Sequence, residues 1–287
     1  MTQSDAPATQ IGILGHGYVG TATARALLRL GRDSGDRIAL SIGYRGTLPA
    51  AAAEAELAGV EWLPLNLNDD TLVSSMGKCK VLLVTFPMRA ADSDNTFAAE
   101  QLFKQLMQLT HLNDTGVSVC LLSSTSGYSQ SEGVITEDST WICDESRFGF
   151  EERLRLDGRA TVIPLVGLFG GKRDPRQWLL KGMIKDLSRS VNLISHDDAG
   201  LCVAKILRNP PQGQRINVGP GLCSRWMDIA RDCDILAVLP NVQDAGKEPS
   251  SPESPLRLVS NERLLGRYPE LRHYSFATVA GCYSGGL

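Results

Sequence analysis

The segment from Gln10 to Leu30 constrains this chain more than any other. An apolar run, QIGILG at 10–15, leads into Gly15-His16-Gly17-Tyr18-Val19-Gly20, and TATARALLRL at 21–30 follows with helical patterning. A strand, a loop with glycines at its first, third and sixth positions, and a helix together give GxGxxG its physical meaning. Gly15 permits the tight turn, Gly17 lets the backbone approach a pyrophosphate, and Gly20 lets the helix pack close to the strand. Tyr18 and Val19 open a helix whose free N–H groups and partial positive charge face the phosphates. His16 is read as a solvent-facing spacer.

The same strand-then-helix alternation continues along the chain. Further strand-like runs are RIALSI at 37–42, VEWLPL at 60–65, KVLLVTF at 80–86, VSVCLLS at 117–123 and TVIPLVGLF at 161–169. Helical patterns lie between them: AAAEAEL at 51–57, TFAAEQLFKQLMQL at 96–109 and RFGFEERLRL at 147–156. Continuous apolar strands separated by helices imply a parallel sheet covered on both faces, and right-handed crossovers make it doubly wound. The expectation is an α/β Rossmann fold: a dinucleotide-binding domain over 1–170 and a C-terminal region over 171–287, part completing the sheet and part a smaller substrate lobe. In that region DAGLCVAKILR at 198–208 and SRWMDIARDCDIL at 224–236 read as helices, QRINVG at 214–219 as a short strand, and KEPSSPESP at 247–255 as a loop.

The end of the second strand bears on which dinucleotide is bound. An acidic residue about 20 residues beyond the glycines grips the ribose 2′-hydroxyl in NAD binding. Here RIALSI is followed by Gly43-Tyr44-Arg45-Gly46, with no carboxylate. Arg45 suits a 2′-phosphate and Tyr44 a stack on adenine, which favours NADP and leaves NAD as the alternative.

Composition narrows the class of partner. The net charge of −3 disfavours a dedicated nucleic-acid binder. No apolar run approaches the roughly 18 residues of a membrane span, and the first residues carry no secretory pattern. The seven cysteines, an odd number without CxxC spacing, read as reduced thiols of a cytoplasmic protein. His196 beside Asp197 and Asp198 reads as a helix start with an acidic cap, and no metal site is expected. The expected partner is a small-molecule substrate, with a homodimer left open.

GHGYVG at 15–20, VTFP at 84–87, LLSSTSGY at 121–128, LVGLFGGKRDP at 165–175, NLISHDDAG at 192–200 and QRINVG at 214–219 occur in the order of a known family. On these segments the chain resembles the short-chain dehydrogenase/reductase superfamily, in its extended or atypical branch near the NAD-dependent epimerase/dehydratases. The resemblance implies that Thr85 and Pro87 line the nicotinamide-ribose side of the cleft. It also implies that Ser123 and Ser124 face the nicotinamide, with Thr125 on the pocket floor and Tyr128 lining the substrate side. Ser124 and Tyr128 are the catalytic candidates, and Ser123, Thr125 and Arg147 the substrate-binding ones.

One departure weighs against the chemistry. The family's YxxxK pair, in which the Lys lowers the Tyr pKa and holds the ribose, is missing. None of the tyrosines has Lys four positions later. Aligning FEERLRL with the family's helix puts Cys143 near the Tyr position and Arg147 near the Lys position. Guanidinium can anchor but cannot serve as a tunable base. Two function classes therefore stay open: an NAD(P)-dependent oxidoreductase or epimerase/dehydratase-like enzyme, and a catalytically silent NADP-binding sensor or scaffold.

Overall fold

The computed structural model describes residues 7–65, 71–86, 93–111, 116–143, 147–239 and 255–283. Its contacts divide the chain into two interleaved units: Met1–Gly127 with Trp141–Pro164 and Gly200–Ile216, and Tyr128–Thr140 with Leu165–Ala199 and Asn217–Leu287.

The first unit is built on a six-stranded parallel sheet. Its strands are β1 (Thr9–Leu14), β2 (Ile38–Tyr44), β3 (Glu61–Pro64), β4 (Val81–Val84), β5 (Ser118–Ser124) and β6 (Ala160–Leu165), in the order β3-β2-β1-β4-β5-β6. This is a doubly wound Rossmann-like α/β sheet. Every residue of β4 and of β6 is buried, as continuous Val, Ile and Leu runs require when helices cover both faces. The helices include α1 (Tyr18–Ser34), α2 (Thr71–Met76), α3 (Ser93–His111) and α4 (Arg147–Leu156). The six-residue run QRINVG continues the sheet only through isolated parallel bridges; that from Val162 to Arg215 lies in this unit.

The chain builds outward from β1 in one direction, then returns to its other side with β4. Strand order thus reverses between β1 and β4, the switch point at which open α/β sheets bind ligands. Register gathers three chain segments there: Leu14 pairs with Gly43 and with Val84, so Gly15, Tyr44 and Thr85 stand at one level, with Tyr44 the last residue of β2 and Gly15 and Thr85 just beyond β1 and β4. The Gly15 N–H donates to the Gly43 carbonyl at 3.0 Å and the Thr85 N–H to the Leu14 carbonyl at 3.0 Å.

Two expected elements differ. The Ala-rich stretch at 51–57 forms two 3-10 turns, Ala50–Ala53 and Ala55–Leu57, rather than an α-helix. Arg25 holds both Glu54, at 2.5 Å, and Glu56, at 3.3 Å. Residues two apart face opposite sides of an α-helix, so one guanidinium reaches both only if the helix is broken. The run 161–169 is likewise split, with Val166 standing between β6 and β7 (Gly167–Phe169).

Among the described residues the second unit has three two-stranded sheets and its own core, in which Phe169, Leu179, Trp226 and Ile229 pack together. Helix formation over Trp226–Asp232 ends ahead of Asp234, whose φ of 55° no helix accommodates. Among the described residues no helix is long and apolar enough to cross a membrane.

Candidate functional site

The three glycines of the loop do three different things. Gly15 has φ of 99°, a backbone conformation that favours glycine, and a Cβ there would collide with Thr85 Oγ1. That hydroxyl donates to the carbonyls of Leu14 (2.9 Å) and Gly15 (3.1 Å). A Cβ at Gly20 would collide with the Gly15 carbonyl oxygen, so helix and loop touch backbone to backbone. A Cβ at Gly17 would meet nothing within 4 Å. Internal packing does not demand glycine at position 17, which opens onto free space.

Gly17 caps the 17-residue α1 without any side-chain hydrogen bond, and the first turn holds no acidic residue. The helix charge at this end favours an anion. The loop is pinned from behind: Thr21 donates through its hydroxyl to the His16 carbonyl (2.5 Å) and through its N–H to the Gly17 carbonyl (3.0 Å). Tyr18 is half-buried and Val19 buried.

Around the loop lies a pocket of about 390 Å³, lined among others by His16, Gly17, Tyr44, Arg45, Thr85 and Phe86. That volume is in the range of small-molecule sites. Among the described residues its lining holds no carboxylate, and exposed Arg45 has no ion-pair partner. The residues present fit a dinucleotide: a bare helix N-terminus for a pyrophosphate, a glycine whose Cβ would fill the approach, and a cation at the end of β2.

The pocket thus brings together Gly15, Gly17, Tyr44, Arg45 and Thr85, as five of the cofactor candidates. Pro87 and the side chain of Arg147 lie outside the described residues. His16 is half-buried rather than a solvent-facing spacer. Its ring meets that of Trp62 edge-on, with centroids 6.5 Å apart, because Trp62 stands beside Ile42 at the carboxyl end of the sheet.

At the end of β5, Ser123 and Ser124 point to different partners, as alternate residues of a strand must. Ser123 is buried and donates to Glu151 Oε2 on α4, itself 1% exposed. Ser124 is half-buried, and its Oγ accepts from the Ser126 hydroxyl at 2.9 Å and the Ser126 N–H at 3.2 Å. With its acceptor side filled, the Ser124 hydroxyl hydrogen is available to another oxygen. Thr125 is buried in the following 3-10 turn, where Gly127 makes room for the Trp141 ring. Cys143 is exposed, and its thiol donates to the Trp141 carbonyl.

In the second unit Tyr128 is 4% exposed, and its hydroxyl donates to Asn217 Oδ1 at 2.7 Å. Asn217 donates its N–H to Glu137 Oε1 at 2.9 Å. Burial pushes the Glu137 carboxyl above the usual carboxylate range, against the Asn217 N–H and the Arg263 charge that lower it. Sequence reasoning missed Glu151, Asn217 and the Trp62 contact. Only Glu151 left a signal: it lies three residues before buried Leu154 on the same helix face.

No protein-family model and no curated protein matches the sequence. Solved structures do share the fold. A putative epimerase from Burkholderia cenocepacia superposes with a TM-score of 0.67 at 17% identity, covering 96% of this chain and 95% of that one. UDP-glucuronic acid 4-epimerase from Bacillus cereus, solved in complex with NAD, gives 0.65 at 14% identity, with 95% and 93% covered. The dTDP-glucose 4,6-dehydratase from Bacillus anthracis, also in complex with NAD, gives 0.62 at 11% identity, with 91% of each chain covered. The fold is therefore that of NAD-dependent epimerases and dehydratases, in keeping with the family resemblance.

Proposed function

We propose that the glycine-loop pocket binds a nicotinamide dinucleotide, NADP in preference to NAD, and that the chain is an oxidoreductase or epimerase/dehydratase-like enzyme acting on a small-molecule substrate. The observation that carries the reading is Gly17, a glycine in open space at an uncapped helix N-terminus. The preference for NADP rests on exposed Arg45 and on the want of a carboxylate among the described residues that line the pocket. Structures of the same fold hold NAD, which supports a dinucleotide of this class.

In this reading the bound nicotinamide supplies the hydride chemistry, and the protein supplies position and a proton path. Gly15, Gly17 and the first turn of α1, with Tyr18 and Val19, hold the pyrophosphate. Tyr44 and Arg45 hold the adenosine half, and Thr85 and Pro87 border the ribose of the other half. Ser124, its acceptor side occupied by Ser126, donates its hydroxyl hydrogen to a substrate oxygen. Ser123, Thr125 and Arg147 complete the substrate side, while Tyr128, expected there as a catalytic hydroxyl, has its one hydrogen donated to Asn217.

A catalytically silent NADP-binding sensor is the second reading. It is favoured by the Tyr128 hydroxyl, already committed to Asn217, together with the absent YxxxK pair. Calorimetric titration of NADPH into the purified chain tests binding, and a panel of carbonyl compounds and imines with NADPH then separates the two readings. Binding with turnover supports the enzyme, and binding without turnover across the panel supports the sensor. No binding of either dinucleotide removes both.

A further inference from the structure

Another pocket lies wholly within the second unit, in a part of the chain that the dinucleotide reading does not use. Its volume is about 120 Å³, and Phe169, Leu193, Ile229 and Phe276 supply apolar surface to it. Phe169 and Ile229 belong to the core of this unit, and the half-buried Phe276 ring packs edge-on against Tyr274 at 5.3 Å between centroids. Packing therefore sets these surfaces in place before any ligand arrives. Ser224, Asp232 and Thr278 bring side-chain oxygens to the lining, and all three are exposed, so the polar rim opens to solvent. Among the described residues the lining holds no Lys, Arg or His.

We propose that this pocket binds a small organic ammonium ion, with Asp232 as its counter-ion. Size sets the apolar part: a cavity of about 150 Å³ accepts benzene, so a slightly smaller one with an open rim takes a single ring or a short branched chain. Charge sets the rest. The Asp232 carboxylate makes no hydrogen bond or ion pair among the described residues, and its neighbour Arg231 is engaged by Asp228 at 3.3 Å. Asp232 also ends the helix Trp226–Asp232, where the last carbonyls carry partial negative charge and disfavour a carboxylate. A cation at the rim relieves that repulsion. The carboxylate and both hydroxyl oxygens can accept from an ammonium N–H. Thr278 Oγ1 already takes the Gly281 N–H at 3.0 Å, so that donor is not offered to an anion. An anion would meet a carboxylate and no cation, and a neutral molecule would leave the carboxylate without a counter-charge.

The test is a ligand-observed NMR titration of the full chain with probes of one ring size: benzylamine, which is cationic at neutral pH, neutral benzyl alcohol and anionic benzoate. Wild type should bind benzylamine about fivefold more tightly than benzyl alcohol, the scale of one solvent-exposed ion pair, and benzoate least of all. Asp232→Asn should bring benzylamine down to the level of benzyl alcohol and leave the alcohol unchanged, and Asp232→Glu should keep part of the preference. Ala280→Phe, which places a ring in the pocket, should abolish binding of both. Thermal melting checks that each variant is folded; if Ala280→Phe is not, the two Asp232 variants carry the test. A preference for benzylamine that survives in Asp232→Asn, equal binding of the three probes, or binding unmoved in folded Ala280→Phe overturns the proposal. So does a wild-type chain that binds none of them. NADPH titrated on the same preparation reads the dinucleotide site separately, so the failure of one reading is distinguished from the failure of the other.

Discussion

Replacing Gly17 by valine separates binding from folding. The native backbone there has φ of −62° and ψ of −172°, an extended conformation open to any L residue, and no atom lies within 4 Å of where the Cβ would sit. The fold should tolerate the change. The remaining cost is the poorer N-cap of a β-branched residue, some tenths of a kcal/mol up to about 1. The new side chain would stand across the uncapped N–H groups of α1, where the pyrophosphate is proposed to lie. Losing two charge-assisted hydrogen bonds at about 1.5 kcal/mol or more each weakens binding by roughly 3 kcal/mol, more than about a hundredfold in Kd. Circular dichroism melting and NADPH calorimetry on the same preparation read the two effects. Near-normal melting with lost binding is the expected pair. Gly17→Val that binds NADPH like wild type would refute the reasoning, because the open space at Gly17 would then serve something else.

Gly20→Ala should do the reverse. Its Cβ meets the Gly15 carbonyl oxygen, so stability should fall by about 1–3 kcal/mol from overpacking, seen as a lower melting temperature. Arg45→Asp should weaken NADPH binding by about 1–3 kcal/mol and affect NADH far less, as fluorescence titration of both cofactors will show. Ser124→Ala should lower turnover about 10- to 1000-fold in steady-state assays once a substrate is found, and leave NADPH binding unchanged. Glu137 gives a pH test in the second unit. Burial raises its folded pKa above the unfolded value, so the folded state holds the proton longer and stability falls as pH rises from about 4.5 through the raised pKa. Glu137→Gln, which keeps an acceptor for the Asn217 N–H, should flatten that dependence in melting curves recorded against pH.

The parts of the fold that were legible in the sequence rest on local physics. The glycine loop, the buried parallel strands and α4 over Arg147–Leu156 each follow from residue pattern within one segment. What was missed depends on partners far along the chain. Alanine propensity at 51–57 gave way to Arg25, which lies 29 residues before Glu54. The cap of the helix His196–Arg208 is Ser195, whose Oγ accepts the Asp198 N–H at 3.1 Å, while Asp198 accepts from Ala277 at 2.8 Å. Tyr128 and Asn217 meet across 89 residues, which no spacing rule reveals. The interleaving of the two units has the same origin, since 128–140 group with segments beyond residue 164 through contacts that leave no linear mark.

A crystal structure of the chain with NADP tests the central claim most directly. The account predicts the pyrophosphate against Gly17 and the first turn of α1, the 2′-phosphate beside Arg45, and the Ser124 hydroxyl facing the nicotinamide. A dinucleotide seated away from the glycine loop, or a pocket that stays empty at saturating NADP, would contradict it.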